Sequence, residues 1–195
     1  MKRWALLCGA MLLFAAAASA QDTPRIEAFG GYSYVRVNPG FGISGENYNG
    51  GSGSVAFNLN SWLGVVGDVG GYHWSQSTLD ATAVTYLFGP KVSLRTGPIT
   101  PFVQTLFGGA RLSGTANGGC GGAIVHSQQT IFGGCGSGSE NAFAMALGGG
   151  LDWNATKHIG VRLIQAEYLM TRFGVVDSAD TQNNARISAG VVFRF

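Results

Sequence analysis

Hydrophobic and polar residues alternate along the C-terminal segment 184–195. The apolar face of this segment consists of Ile187, Ala189, Val191, Phe193 and Phe195, and the opposite face consists of Arg186, Ser188, Gly190, Val192 and Arg194. Successive side chains of a strand point to opposite faces. The segment is therefore predicted to be a strand that lies between two different environments.

Similar alternation recurs along the chain and predicts eight strands. Their expected bounds are Arg25–Arg36, Gly50–Leu59, Leu63–Trp74, Ala81–Leu94, Pro101–Leu112, Asn141–Trp153, His158–Thr171 and Asn184–Phe195. The breaks between them are alternately long, at 37–49, 75–80, 113–140 and 172–183, and short, at 60–62, 95–100 and 154–157. Trp62, Trp153, Phe193 and Phe195 lie beside short breaks, whereas Tyr34, Trp74 and Phe173 lie nearer long ones.

Composition decides which face of these strands points outward. Only 11% of the residues are charged and 32 of the 195 are glycine, against roughly 25% charged residues in soluble domains. In a soluble sandwich the small residues would form a poor aqueous surface, so we expect the bulky apolar side chains to face lipid. A sheet in lipid must close on itself, and eight strands leave an interior that side chains can fill. The predicted fold is all-β, an eight-stranded antiparallel up-and-down transmembrane β-barrel.

The breaks and the aromatic residues agree with this fold. Outer-membrane barrels have short periplasmic turns and longer extracellular loops, and aromatic side chains favour the two membrane interfaces. The alternation of breaks therefore predicts that both ends of the mature chain lie in the periplasm.

The first twenty residues have the features of a secretory signal peptide. Lys2 and Arg3 precede an apolar stretch, and small residues at 18–20 form a cleavage site before Gln21. We expect removal of residues 1–20, which leaves one barrel domain at 21–195. The mature chain then has equal numbers of basic and acidic residues. The lack of net positive charge argues against nucleic acid as a partner.

These segments resemble the small eight-stranded outer-membrane barrels, a family that includes the OmpA transmembrane domain, OmpX and Ail. The resemblance rests on the segments Glu27–Tyr34, Gly148–Asp152 and Val191–Phe195 and covers the mature chain. It implies residence in the outer membrane of a Gram-negative bacterium, among lipid and lipopolysaccharide. It also implies that the barrel-assembly machinery reads the terminal Phe195 as an assembly signal.

Seven charged residues fall within predicted strands, mostly on the face assigned to the barrel interior: Glu27, Asp68, Lys91, Asp152, Arg162, Glu167 and Arg186. An unpaired buried ion costs several kcal/mol, so we expect these side chains to form a network of ion pairs in a narrow lumen. A water-filled path along the same residues is the alternative. Arg162 and Glu167 would lie on opposite faces unless a bulge near Ile164 shifts the alternation.

Cys120 and Cys135 lie in the longest predicted loop. In an exported chain such an even pair predicts a disulfide, which would stabilise a loop of about fifteen residues by on the order of 3 kcal/mol. A metal site with His126 is the alternative, but it lacks a fourth ligand and the usual cysteine spacing. We expect neither a metal nor a cofactor.

The nearest approach to a catalytic pair is His73 and Ser75. Their spacing places them on one face of a strand, and lipid A deacylases of the outer membrane use a similar pair, but no acid to orient the histidine is identifiable. The leading hypothesis is a non-enzymatic protein with a structural or surface-interaction role through long extracellular loops and an unnamed extracellular ligand. A narrow channel, a lipid A esterase and a soluble lipocalin-type barrel are the alternatives.

Overall fold

Eight antiparallel strands form a closed barrel in this computed structural model. Residues 23–38, 46–76, 79–116, 125–126, 129–130, 137–175 and 178–195 are described. The strands are β1 (Ile26–Asn38), β2 (Glu46–Asn58), β3 (Leu63–Gln76), β4 (Leu79–Ser93), β5 (Ile99–Ala116), β6 (Ser137–Trp153), β7 (Ile159–Val175) and β8 (Ser178–Arg194). Each strand pairs with its neighbours in the sequence, and β1 pairs with β8 to close the cylinder. The predicted up-and-down barrel is confirmed.

A separate two-stranded ladder pairs Val125–His126 with Gln129–Thr130, between β5 and β6 in the chain. Among the residues that the structure describes, no helix has the length and hydropathy needed to cross a membrane.

The two faces of the barrel wall are divided as the sequence predicts. Phe57 and Phe193 on the outer surface are about half exposed, at 52% and 47%, whereas Lys91 and Arg186 are 2% and 1% exposed. Large apolar side chains are exposed on every strand of the barrel, for example Val103 at 60%. Soluble monomers rarely expose a continuous apolar surface of this size. The belt therefore faces the hydrocarbon of a membrane.

The inner end of the barrel is defined here as the end that holds Arg25, Phe195 and the turns at 59–62, 94–98 and 154–158. Side chains shape two of these turns: the Asn60 Oδ1 atom accepts hydrogen bonds from the Leu63 and Trp62 amides, and the Thr156 hydroxyl accepts one from the Ile159 amide. Such side-chain bonds favour tight turns.

The outer end, opposite to it, has longer strands than the sequence predicts. β3 ends at Gln76 and β4 begins at Leu79, while β7 ends at Val175 and β8 begins at Ser178. The prediction of long loops at 75–80 and 172–183 is therefore wrong, because most of these residues are strand. A membrane crossing needs about 9–11 residues per strand, and these strands have 13 to 18. The barrel wall thus continues past the apolar belt.

A bulge in β7 shifts the alternation at the position where the sequence raised a conflict. Gln165 pairs with Ser188, but Arg162 pairs with Gly190, so two residues of β7 lie opposite one residue of β8. Leu163 and Ile164 are both exposed as a result. Arg162 and Gln165, on either side of them, both point into the barrel and are buried.

Candidate functional site: the ionic interior

Arg186 of β8 lies at the centre of the first ionic cluster. Its Nη1 atom donates to Asp68 Oδ1 at 2.7 Å and to the Tyr72 hydroxyl at 3.3 Å, and its Nε atom donates to Glu167 Oε2 at 2.6 Å. Glu167 is the direct cross-strand neighbour of Arg186 on β7, whereas Asp68 comes from β3 across the barrel. Gln104 donates to the other oxygen of Glu167 at 2.9 Å. The guanidinium thus spans the interior.

Arg162 forms the second cluster, with Asp152. The Arg162 Nε and Nη2 atoms donate to the two carboxylate oxygens of Asp152, at 2.7 and 3.1 Å, and Nη1 donates to Gln165 Oε1 at 2.6 Å. Its guanidinium also lies 4.3 Å from the centre of the Phe29 ring and 4.4 Å from that of Phe102. The bidentate geometry and the two ring faces hold this cation in one orientation.

Glu27 of β1 forms the third cluster, at the inner end, with three cations. Lys91 Nζ lies 3.0 Å from one carboxylate oxygen, and Arg95 Nη2 and Arg194 Nε lie 3.1 and 3.6 Å from the other. Arg194 is the register partner of Glu27 on β8, while Lys91 reaches it from β4 across the barrel. Lys91 also lies 4.5 Å from the centre of the Phe102 ring.

All seven charged residues singled out in the sequence lie in these clusters, and each is less than 5% exposed. Arg95 and Arg194 belong to the third cluster but were not named as members. Arg95 follows the end of β4, in a segment interpreted as a turn, and Arg194 is the penultimate residue. The alternation pattern places Arg194 on the inner face, and this signal could have identified it.

Apolar side chains fill much of the remaining interior, which the sequence did not predict. These residues form one buried apolar cluster, in which Leu106 and Val66 are 0% and 2% exposed. Side chains therefore occupy the space inside the barrel, and each of the buried charges named above lies within an ion pair.

The other candidate residues provide little evidence of a functional site. His73 is exposed on β3 and its Nδ1 atom lies 3.3 Å from the Thr82 hydroxyl, a partner that cannot act as the acid of a catalytic triad. Cys120 and Cys135 lie outside the described residues, as does the proposed signal peptide. Phe195 is 71% exposed, and its backbone pairs with Ile26. Within the described ranges no group of three or more His, Cys, Asp or Glu side chains could hold a metal ion.

Comparison with known families identifies the barrel. The model of the outer membrane protein beta-barrel domain matches residues 5–195. The chain belongs to this family. Membership in the outer membrane beta-barrel family implies location in the outer membrane of a Gram-negative bacterium and confirms the resemblance seen in the sequence.

Solved structures agree with this family fold. Ail, the attachment invasion locus protein of Yersinia pestis, is 18% identical, with a TM-score of 0.56 over 89% of this chain and 99% of Ail. Neisserial surface protein A is 12% identical, with a TM-score of 0.64 over 90% of this chain and all of that one. Ail in complex with the heparin analogue sucrose octasulfate is 20% identical, with a TM-score of 0.57 over 89% and 99%. The search of curated proteins found no match.

Proposed function

We propose that this outer-membrane barrel is a non-enzymatic, non-conducting protein that stabilises the membrane and presents its outer end to the surroundings of the cell. The observation that supports this proposal most directly is the Arg186 guanidinium held between Asp68 and Glu167 across the interior. Opening a path there would separate buried opposite charges, which costs several kcal/mol. The lumen is therefore closed at rest.

Single-channel recording tests this proposal against a narrow pore. The wild-type protein in a planar bilayer is expected to show no conductance steps. The triple variant Asp68→Ala, Glu167→Ala, Arg186→Ala removes the first cluster only, and it is expected to stay silent as well because the other two ionic clusters and the apolar cluster still fill the interior. The matched control truncates three lipid-facing residues, Val69→Ala, Leu147→Ala and Ile187→Ala in one chain, and should remain silent. Steady conductance by the wild-type protein would refute a closed lumen.

The outer end is proposed to lie outside the cell and to contact lipopolysaccharide and an extracellular ligand. Three tyrosine–asparagine pairs mark its boundary with the apolar belt: Tyr32 with Asn49, Tyr34 with Asn47 and Tyr168 with Asn183. An aromatic body with a polar tip is typical of membrane interfaces. Protease added to intact cells should cleave between 113 and 140 and leave both chain ends protected. Cleavage only in broken cells would contradict the proposal that the outer end lies outside the cell.

The Ail complex makes a sulfated sugar the first extracellular ligand to test here. Three arginines project from the outer surface of the wall near this end: Arg36, Arg111 and Arg172. Cells that display the protein should retain a fluorescent sulfated oligosaccharide, and its neutral parent sugar should not bind. Equal retention by cells that lack the protein would remove this ligand class from the proposal.

The remaining parts of the proposal concern export, barrel assembly and the two cysteines of the mature chain. Residues 1–20 act as a removable signal peptide, the barrel-assembly machinery recognises Phe195, and Cys120 forms a disulfide with Cys135. The mass of the mature protein tests the first of these directly, because cleavage predicts Gln21 as the first residue. A mature chain that retains residues 1–20 would contradict it.

The lipid A esterase is the less favoured alternative. The neighbour of His73 in the structure is a threonine hydroxyl, and an unassisted histidine is a weak activator of a serine nucleophile. The composition of lipid A should be the same in cells that express wild-type protein and in cells that express His73→Ala. Loss of an acyl chain only in the wild-type cells would establish the enzyme.

A further inference from the structure

A cleft of about 720 Å³ opens at the inner end of the barrel. It lies between the segments 23–25 and 194–195 and the turns at 94–98 and 154–158, outside the plugged interior. Four cationic side chains line it: Arg25, Arg95, Lys157 and Arg194. Among the described residues that line the cleft there is no aspartate or glutamate, so the charge of these lining side chains is positive.

The third ionic cluster, two of whose cations, Arg95 and Arg194, line this cleft, has more cations than anions. Glu27 forms ion pairs with Lys91, Arg95 and Arg194. The distance from Glu27 to Arg194, 3.6 Å, is longer than a hydrogen bond. In the other two ionic clusters the carboxylates equal or outnumber the cations. Partly buried cations that share one carboxylate are incompletely neutralised, so an anion that entered the cleft would supply the missing charge.

The walls are held in place before any ligand arrives. The Asn154 side-chain nitrogen donates to the Gly97 carbonyl and to the Thr100 hydroxyl, both at 3.1 Å, and so ties the two turns together. Arg95 is fixed by a 2.6 Å hydrogen bond from its Nη1 atom to the Ser61 carbonyl. A site whose walls are already ordered loses less entropy on binding.

We propose that this inner cleft binds a phosphate anion. Guanidinium groups match phosphate oxygens with two parallel hydrogen bonds, and the lysine adds an adjustable point charge. Three residues next to the lining positions are exposed and apolar: Ile99, Trp153 and Ile159. The rim of the cleft therefore borders the membrane belt, where both a phospholipid headgroup and free phosphate can reach it.

The first test measures inorganic phosphate binding to the refolded full-length mature chain in a zwitterionic detergent. Calorimetric titrations with phosphate are compared with chloride at equal ionic strength. The rim variant Arg25→Gln, Lys157→Gln changes two exposed residues and is expected to bind phosphate about tenfold or more weakly, because it loses two charge-assisted contacts. The control Val69→Ala, Leu147→Ala, Ile187→Ala changes three lipid-facing residues outside the cleft and should bind phosphate as the wild type does.

The second test distinguishes the two sources of phosphate. The wild type, the rim variant and the control are moved from nanodiscs that contain phosphatidylglycerol into detergent, and the retained lipid is counted by native mass spectrometry. Lipid retained by the wild type and the control but lost from the rim variant assigns the cleft to a phospholipid headgroup. Phosphate binding without retained lipid assigns it to the free anion. Equal phosphate affinity and equal lipid retention in all three proteins would overturn the proposal, whether or not the lumen conducts.

Discussion

Replacing Arg186 with methionine should destabilise the barrel strongly. The arginine is 1% exposed and forms ion pairs with both Asp68 and Glu167, at distances of 2.7 and 2.6 Å. Removing one partner of a buried ion pair typically costs 3–5 kcal/mol, since the remaining charge stays buried. Here two carboxylates remain, although Gln104 still donates to Glu167. We therefore expect Arg186→Met to lower the free energy of unfolding by about 4 kcal/mol.

The assay is reversible urea unfolding in lipid vesicles, followed by tryptophan fluorescence and by the gel shift between folded and heat-denatured barrel. Arg36→Met, the same change at an exposed position on β1, is the matched control and should have little effect. The variant Asp68→Asn, Glu167→Gln, Arg186→Met removes all three charges and should recover most of the loss. A cost below about 1 kcal/mol for Arg186→Met, with no recovery in the triple variant, would show that the cluster is solvated and not dry.

Three further predictions concern close packing, assembly and the loop cysteines. A Cβ atom at Gly108 would lie 2.0 Å from the Tyr86 backbone carbonyl oxygen on the neighbouring strand, so Gly108→Ala should displace the backbone and cost about 1–3 kcal/mol in urea unfolding. Gly71→Ala, which meets open space, should be tolerated, and equal costs for the two variants would contradict this prediction. Phe195→Ser should slow barrel assembly in cells, seen as a smaller heat-modifiable fraction, whereas wild-type assembly would refute a role for the terminal ring. Alkylation without reductant should leave Cys120 and Cys135 unmodified, and two added labels would disprove the disulfide.

Alternation along the strands predicts the barrel because one physical contrast governs most of the wall. Bulky side chains such as Phe88 face lipid while small or charged ones face inward, so period two is visible in the sequence. At the outer end this contrast disappears: outward-facing residues such as Asn47 and Arg111 are polar. Backbone pairing continues there without an apolar face. The alternation pattern therefore ends before the strands do and predicts loops at 75–80 and 172–183, where most residues are strand.

The partners of the interior charges depend on register and on barrel closure, which alternation does not specify. Glu27 and Lys91 lie on strands that are not neighbours in the sheet, and Arg186 reaches Asp68 across the lumen. The inward-facing Leu106 and the outward-facing Phe107 are consecutive apolar residues, so the apolar layer inside the barrel leaves no periodic signal. The bulge at 163–164 could be predicted from the sequence. Arg162 and Glu167 are both expected to face the interior, yet strict alternation would place them on opposite faces of the strand.

The most direct test of the outward-facing apolar belt is the depth of a probe at position 103. Val103→Cys, in a chain that lacks the native cysteines, is labelled with a fluorophore and reconstituted in vesicles. A lipid-facing position 103 predicts strong quenching by nitroxides on lipid acyl chains and weak quenching by a water-soluble quencher. Strong quenching by the water-soluble quencher together with weak quenching by the lipid nitroxides would contradict an outward-facing apolar belt.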